Sequence, residues 1–367
     1  MEGCEGFIAW RLSQASLRSE ISLNPATWLG RFLFAMLVLS MQGEFVTQLG
    51  CVALTGFDTF WGVELAQRLR RRQGPLRVVG IDLECPLRGS DGIDFFHLDL
   101  MDEFAEEALA EILLKTGAEA VVHLGYRTSP TRFPEADRSL NVEGTAKVLG
   151  AVQEAGVSKL VVASSTMLYG ARPDNPNFLI ESQPLRGNRE SSYLKGRIDA
   201  EEQVRTFASH ALGTEVTVLR SAWAMGPRYT DEITAFFSRE FVPTCLGYDP
   251  LLQFVAEDDL LAVYEAAVCE SHPGVFNVVA QGVLPLSTLL ALAGRKRCPL
   301  PTPLFDRWPR LSAWTDSPDP TSSFYDYLRY LWVADGEHGW SEFGELRYTT
   351  REAWISFVSA AHVERYR

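Results

Sequence analysis

None of the six cysteines in this 367-residue chain stands in a C-x-x-C pair. Cys4, Cys51, Cys85, Cys245, Cys269 and Cys298 are scattered, and Cys51 and Cys269 fall inside apolar patterns, as buried thiols do. This excludes a disulfide framework and a structural zinc, and it fits a reducing, cytoplasmic compartment. The six histidines (His97, His123, His210, His272, His338, His362) show no metal-ligand spacing, so no metal is expected. Cations are in deficit: 34 Lys and Arg against 47 Asp and Glu give a net charge of −13. Binding a phosphate backbone needs clustered Lys and Arg, so a nucleic-acid partner is excluded and a small-molecule substrate is expected. There is no internal repeat and no low-complexity tract. The apolar run at 32–41 (FLFAMLVLSM) is too short to span a bilayer. What is present is an ordinary globular composition, 46% hydrophobic and 22% charged. The length exceeds a single core and predicts one large α/β domain with a smaller lobe.

The chain is organised around 51–65, CVALTGFDTFWGVEL. A short apolar run, Val52-Ala53-Leu54, ends in Thr55-Gly56, and a helical pattern follows from Trp61-Gly62 through Leu65, Ala66 and Leu69. Gly56 lets the backbone turn sharply, and Gly62 lets the helix approach the strand. The free N–H groups at the helix start suit a pyrophosphate. A glycine is missing from the middle of this fingerprint, where Thr59 stands; its side chain is expected to crowd the turn and weaken binding. An ordinary strand–loop–helix would show the same local pattern. The context favours a dinucleotide site: 77–82 (RVVGID) is a second apolar strand ending in Asp82, twenty residues after Gly62. A carboxylate there accepts both hydroxyls of an adenosine ribose and repels a 2′-phosphate, which favours NAD over NADP. The nearby Arg88 keeps NADP open.

Further strands are read at 95–100, 120–125 and 159–164, and 215–220 reads as the last long parallel strand. Helices at 103–114, 140–155 and 191–207 alternate with them. This is a Rossmann-type doubly wound parallel sheet. Asp99 ends its strand, placed to reach an adenine amino group or to cap the helix after it. His123 reads as a strand-end packing residue. We place the dinucleotide domain at 50–227, with 254–269 returning to it. Residues 228–367 form mainly a smaller, mixed substrate lobe and tail. Residues 1–49 precede the first strand. Three readings of them stand: an amphipathic arm packing on the fold or a partner, a membrane-surface helix, or a start placed too early with Met41 the true one. The first and last are preferred, so membrane contact is not expected.

Taken together, the motifs TGFDTFWG (55–62), Asp82, Asp99-Leu100, VVHLG (121–125), NVEGT (141–145), SSTMLYG (164–170), Tyr193, VLRSAWAMGP (218–227), FVAEDDL (254–260) and GVFNVV (274–279) stand in a characteristic order. In this the chain resembles the extended short-chain dehydrogenase/reductases, the NAD-dependent epimerase/dehydratase group that includes UDP-glucose 4-epimerase, from about residue 51 to about 357. The resemblance implies NAD held by Gly56, Thr59, Gly62, Asp82, Asp99, Leu100, Leu124, Gly125 and Asn141. It also implies a homodimer, since the family often pairs through two helices per subunit. Its chemistry is hydride transfer at a secondary alcohol carbon, with a Tyr as acid–base group and a Ser hydroxyl positioning the substrate oxygen. Ser165 and Tyr193 match these. A free phenol has a pKa near 10 and needs a cation beside it. The family's Lys is missing from its place four residues on, where Arg197 stands. Lys195 is two residues on and faces elsewhere, unless the register slips to Ser191/Lys195, with no Tyr. Glu201 continues the Tyr193/Arg197 face and favours that register. Arg can lower a phenol's pKa but does not reproduce an ammonium's contacts with a ribose.

Two further departures concern substrate. Trp223 replaces an Asn, and Leu252-Gln253 replaces an Arg-Asp, with which sugar-nucleotide members bind a diphosphate. Trp223, Leu252 and Gln253 are the expected substrate-side positions, and a substrate other than a nucleotide sugar is implied. The expectation is an NAD-dependent oxidoreductase or epimerase with Ser165, Tyr193 and Arg197 at its centre. The alternative is a catalytically degenerate NAD(H)-binding sensor or scaffold.

Overall fold

The structure is a computed structural model and describes residues 49–72, 76–126, 134–187, 191–309 and 322–364. The N-terminal arm, with its apolar run at 32–41 and Met41, lies outside the described residues.

Seven strands form one parallel sheet. The chain runs β1 (Cys51–Thr55), α1 (Phe60–Arg70), β2 (Arg77–Asp82), β3 (Asp94–His97), α2 (Ala105–Thr116) and β4 (Ala120–His123). Then come α3 (Pro134–Ser139), a π-turn at Leu140–Gly144, α4 (Thr145–Ala155), β5 (Lys159–Ser165), a 3-10 turn at Thr166–Tyr169, α5 (Ser192–His210) and β6 (Glu215–Ser221). The strands are short apolar runs because helices cover both faces; β1 is buried along its whole length. The two faces carry separate cores. Val121, Leu109 and Val148 stand in one, and Leu54, Leu65 and Leu261 in the other.

After β6 the chain leaves the sheet through β7 (Trp223–Met225), α6 (Glu232–Ser238), β8 (Phe241–Cys245), β9 (Leu251–Leu252) and β10 (Phe254–Ala256). It returns through α7 (Glu257–Cys269), which packs on α1, and β11 (Gly274–Val278), which pairs in parallel with β6. This corrects the reading that ended the parallel sheet at 215–220. The crossover from β6 to β11 carries a long excursion, which hides the βαβ unit from a local reading. The lobe is completed by β12 (Leu284–Pro285), α8 (Leu286–Leu292), β13 (Lys296–Leu300), α9 (Thr302–Phe305), a 3-10 turn at Ser322–Leu328, α10 (Glu337–Phe343) and α11 (Thr350–Glu364).

The strand order is β11-β6-β5-β4-β1-β2-β3. The chain moves outward from β1 to β3, then restarts on the other side at β4. The topological switch therefore lies between β1 and β4, and ligands of open α/β sheets bind at the strand ends there. No helix among the described residues is long and apolar enough to cross a membrane. The five described cysteines are free thiols, with Cys51 and Cys245 buried and Cys269 partly exposed.

Candidate active site

The turn after β1 packs against the turn after β4. Gly56 has φ +77°, and a Cβ on it would lie 2.5 Å from the Leu124 carbonyl carbon and the Gly125 nitrogen. A Cβ on Gly62 would lie 2.5 Å from the Gly56 oxygen. No other residue fits either position without moving backbone, so both glycines serve the close approach that the sequence implied. Thr59 has ordinary extended backbone (φ −90°, ψ 158°), and its side chain turns into the loop. Thr59 Oγ1 donates to the Gly56 carbonyl (2.7 Å) and accepts from the Gly62 N–H (3.0 Å), capping α1. A threonine hydroxyl thus occupies one of the helix's free donors.

Asp82 ends β2 beside this turn. Its Oδ2 accepts the backbone N–H of Asp58 at 2.8 Å and its Oδ1 that of Leu83 at 2.7 Å, which fixes the carboxylate at the loop's edge. Asp99 does not cap α2. That helix starts at Ala105 with Phe104 in the capping position, while Asp99 Oδ1 accepts the Met101 N–H at 2.8 Å in a local turn. The rest of the expected cofactor set, Leu100, Leu124, Gly125 and Asn141, lies around the switch point. Leu100 and Leu124 are buried, and a Cβ on Gly125 would touch a Leu100 methyl at 3.4 Å. Asn141 is fully buried in the π-turn, a distortion that often marks functional sites in helices.

Below the turn, His123 is enclosed and bonded on both sides. Thr145 Oγ1 donates to the Asn141 carbonyl (2.6 Å), so it accepts from His123 Nε2–H (3.2 Å). His123 Nδ1 then accepts the Thr55 hydroxyl (2.7 Å). Burial, with Arg197 nearby, holds the imidazole neutral and its pKa down to about 3. It packs and orients; it does not titrate near neutrality.

Ser165 ends β5, and its Oγ accepts the Met167 N–H at 3.2 Å, which turns the chain into the 3-10 segment. Tyr193 lies in the first turn of α5, capped by the Ser191 hydroxyl. Tyr193 and Met167 pack against the same hydrophobic cluster. Arg197 is buried on the inner face of α5 with Glu201, whereas Tyr193 and Lys195 are both partly exposed. The Arg197 guanidinium lies 3.7 Å over the Tyr126 ring, and its Nη2 donates to the Ala163 carbonyl of β5 at 3.0 Å. Its Nη1 is buried with no hydrogen-bond partner among the described residues. Arg197 thus ties the helix of Tyr193 to the strand of Ser165 and keeps one donor unused. Burial pushes the Tyr193 phenol above its ordinary pKa. Arg197 pulls it back in part, and Glu232, Asp231 and Asp137 push it further up.

Sequence reasoning missed those carboxylates. Asp137 comes from α3, which packs on α5 at Gly196, and Asp231 and Glu232 come from the start of α6. Asp231-x-x-Thr234 is a reciprocal cap that the sequence displays. Burial and the two aspartates raise the Glu232 carboxyl to about 7.

The substrate-side positions are enclosed. Trp223 is buried among Phe237, Phe324, Tyr327 and Trp332, with ring centroids 4.7–6.3 Å away. Leu252 is fully buried. The Gln253 amide donates to the Ala280 carbonyl (3.2 Å) and accepts the Ala334 N–H (3.1 Å). Gln253 ties the lobe's backbone together, from residue 280 to residue 334.

Comparison with known proteins gives three findings. The model of the NAD dependent epimerase/dehydratase family matches residues 52–277. The uncharacterised protein Mb0513 of Mycobacterium bovis is 30% identical over 321 residues, 83% of this chain and 82% of that protein. Among solved structures, dTDP-glucose 4,6-dehydratase of Bacillus anthracis in complex with NAD superposes with a TM-score of 0.66 at 15% identity, over 86% of this chain and 97% of the other. The UDP-glucose 4-epimerase of Thermus thermophilus in complex with NAD gives 0.65 at 20% identity, over 85% and 99%. At those identities the two structures speak for the fold.

Proposed function

The chain belongs to the NAD dependent epimerase/dehydratase family, and from that membership we propose that it is an NAD-dependent enzyme transferring hydride at a secondary alcohol or ketone carbon. The observation that carries this reading is Arg197, a buried cation that joins the Tyr193 helix to the Ser165 strand and holds Nη1 unused. The residues fit the cofactor at both ends. Gly56 and Gly62 leave the cradle that a Cβ would fill, Asp82 at the end of β2 would take the adenosine ribose, and the buried Arg197 Nη1 keeps a donor that a cofactor could use. When bound, the reduced cofactor supplies the hydride.

The protein's own part is to hold the substrate oxygen and move its proton. Ser165 Oγ positions the ketone oxygen, and the Tyr193 hydroxyl gives its proton to that oxygen as the alcohol forms. Solvent then reprotonates the phenolate. A phenol held above its ordinary pKa is protonated throughout the neutral range, so it is ready as an acid in ketone reduction. In the reverse direction it must first lose its proton, with Arg197 the cation that stabilises the phenolate. Trp223 within its aromatic cluster leaves an apolar wall where a diphosphate would need polar groups, which supports a substrate without a nucleotide diphosphate. A cytoplasmic setting and a homodimer belong to the same reading.

One observation favours the alternative, a non-catalytic NAD(H)-binding sensor or scaffold. Arg197 is stacked on Tyr126 and bonded to Ala163, and the Tyr193 phenol stays raised despite it. The test is NADH consumption with a broad panel of ketones. Turnover that depends on Tyr193 supports the enzyme. No turnover by the wild type or by Arg197→Lys supports the sensor.

A further inference from the structure

Two residues between Gly56 and Gly62 work against a dinucleotide staying bound. Thr59 Oγ1 already takes the Gly62 N–H, one of the free donors of α1 that a pyrophosphate would use. Asp58 sets a carboxylate in the same turn. Its backbone N–H is pinned to Asp82 Oδ2 at 2.8 Å, which holds the residue beside a second acid, while its side chain remains exposed. The charges acting on that carboxyl are those of Asp82 and Glu84, both negative. Its pKa is raised, chiefly by partial desolvation of the carboxyl group and then by those two acids. A pyrophosphate entering the cradle adds more charge of the same sign. The glycines and Asp82 therefore provide a dinucleotide site, and the two residues between them weaken it.

We propose that Asp58 and Thr59 make this a site of rapid cofactor exchange, so that NAD(H) is a co-substrate and the net reaction is an oxidation or reduction rather than an epimerisation. This rests on the NAD-dependent reading above. In an epimerisation the hydride leaves the carbinol carbon and returns to it, so the cofactor ends as it began and need never depart. In a net reaction the ketone gains a hydride, with its two electrons, from NADH and a proton from the Tyr193 hydroxyl. The alcohol and NAD⁺ must then both leave. A loop that holds a dinucleotide weakly hinders the first kind of cycle and suits the second. The same carboxylate adds to Asp82 in discriminating against a 2′-phosphate.

The test is binding, read by calorimetry with NAD⁺, NADH and NADP⁺, together with cofactor content after gel filtration of protein preloaded with NAD⁺. The wild type should lose its cofactor on the column. Asp58→Asn keeps the shape of the residue and, because the side chain is exposed, leaves the fold alone. It should tighten NAD⁺ by roughly three- to tenfold, the scale of one screened like charge a few ångströms away, and NADP⁺ by more. That gain should shrink at high salt, which a purely structural effect would not do. Thr59→Gly frees the Gly62 N–H and should tighten NAD⁺ as well. Stoichiometric NAD retained by the wild type through gel filtration overturns the exchange role while leaving the NAD reading intact. Unchanged affinity in Asp58→Asn overturns the role of Asp58. No dinucleotide binding by the wild type or either variant overturns the cofactor reading itself.

Discussion

Removing the Glu201 carboxylate should be among the most damaging single changes in this protein. Arg220, on β6, is fully buried. Its Nε and Nη2 both donate to Glu201 Oε1, at 3.0 and 2.5 Å, and its Nη1 donates to the Tyr169 hydroxyl (2.7 Å) and the Glu181 carbonyl (2.9 Å). The Tyr169 hydroxyl in turn donates to Asn277 Oδ1 of β11 at 2.8 Å, and Ser164, next to Ser165, donates to Glu201 Oε2. One ion pair thus joins α5, β5, β6 and β11 behind the site. Glu201→Gln leaves a buried guanidinium without its counter-ion, which costs about 3–5 kcal/mol. At roughly 2 °C per kcal/mol for a chain of this size, the melting temperature should fall by about 6–10 °C. Paired replacement by apolar residues, Glu201→Leu with Arg220→Met, should recover much of that loss, because no stranded charge remains. Urea denaturation of Glu201→Gln, of the singles Glu201→Leu and Arg220→Met, and of the pair measures this. A loss under about 1 kcal/mol in Glu201→Gln, or a pair that is merely the sum of its singles, would refute the account of the network.

The other predictions concern the site. Tyr193→Phe should lower the rate about a hundredfold or more with NAD affinity little changed, since it removes the proton donor and keeps the ring. Ketone reduction by the wild type should be flat with pH through neutrality and fall only in strong base, while alcohol oxidation should rise with pH over the same range, because the raised phenol must ionise first. Glu232 has a folded pKa of about 7 against an ordinary 4.5, so its contribution to stability is complete in acid and is lost as the pH rises through 7. Glu232→Gln should therefore stabilise the protein at pH 8, by about 1 kcal/mol once solvent screening of the partly exposed carboxyl is allowed for, and by little at pH 4, as read from melts at the two pH values. Trp223→Asn should cost about 3 kcal/mol or more by opening a cavity among Phe237, Phe324, Tyr327 and Trp332, and should not create nucleotide-sugar turnover.

Six of the seven sheet strands were legible because each is a short apolar run next to a helical period, a pattern carried by neighbouring residues. The Gly56–Gly62 turn and the spacing to Asp82 were legible for the same reason. The return of β11 to the sheet was not, because a long excursion separates it from β6. The Tyr193/Arg197 register was read from Glu201 continuing the face; Arg197 and Glu201 are buried in α5, while Tyr193 is partly exposed, as Lys195 is. What was not legible depends on contacts between distant segments. No local pattern places Phe324, Tyr327 and Trp332 on Trp223, or Tyr126 beneath Arg197. Leu252 and Gln253 were taken as substrate-side from the family resemblance alone, and no local pattern shows that Gln253 bonds backbone from 280 and 334. The inward turn of Thr59 could not be foreseen either, because a threonine between two glycines is as ready to cap a helix as to crowd a loop.

The most direct test of the central claim follows the hydride itself. The wild type and Tyr193→Phe are each incubated with NADH deuterated at the transferring carbon and a panel of ketones without phosphate, and the alcohols formed are analysed by mass spectrometry. The account predicts deuterium on the carbinol carbon with the wild type, and at least about a hundredfold less of it per unit time with Tyr193→Phe. Deuterated alcohol formed at equal rates by both proteins, or by neither of them nor by Arg197→Lys, would contradict it.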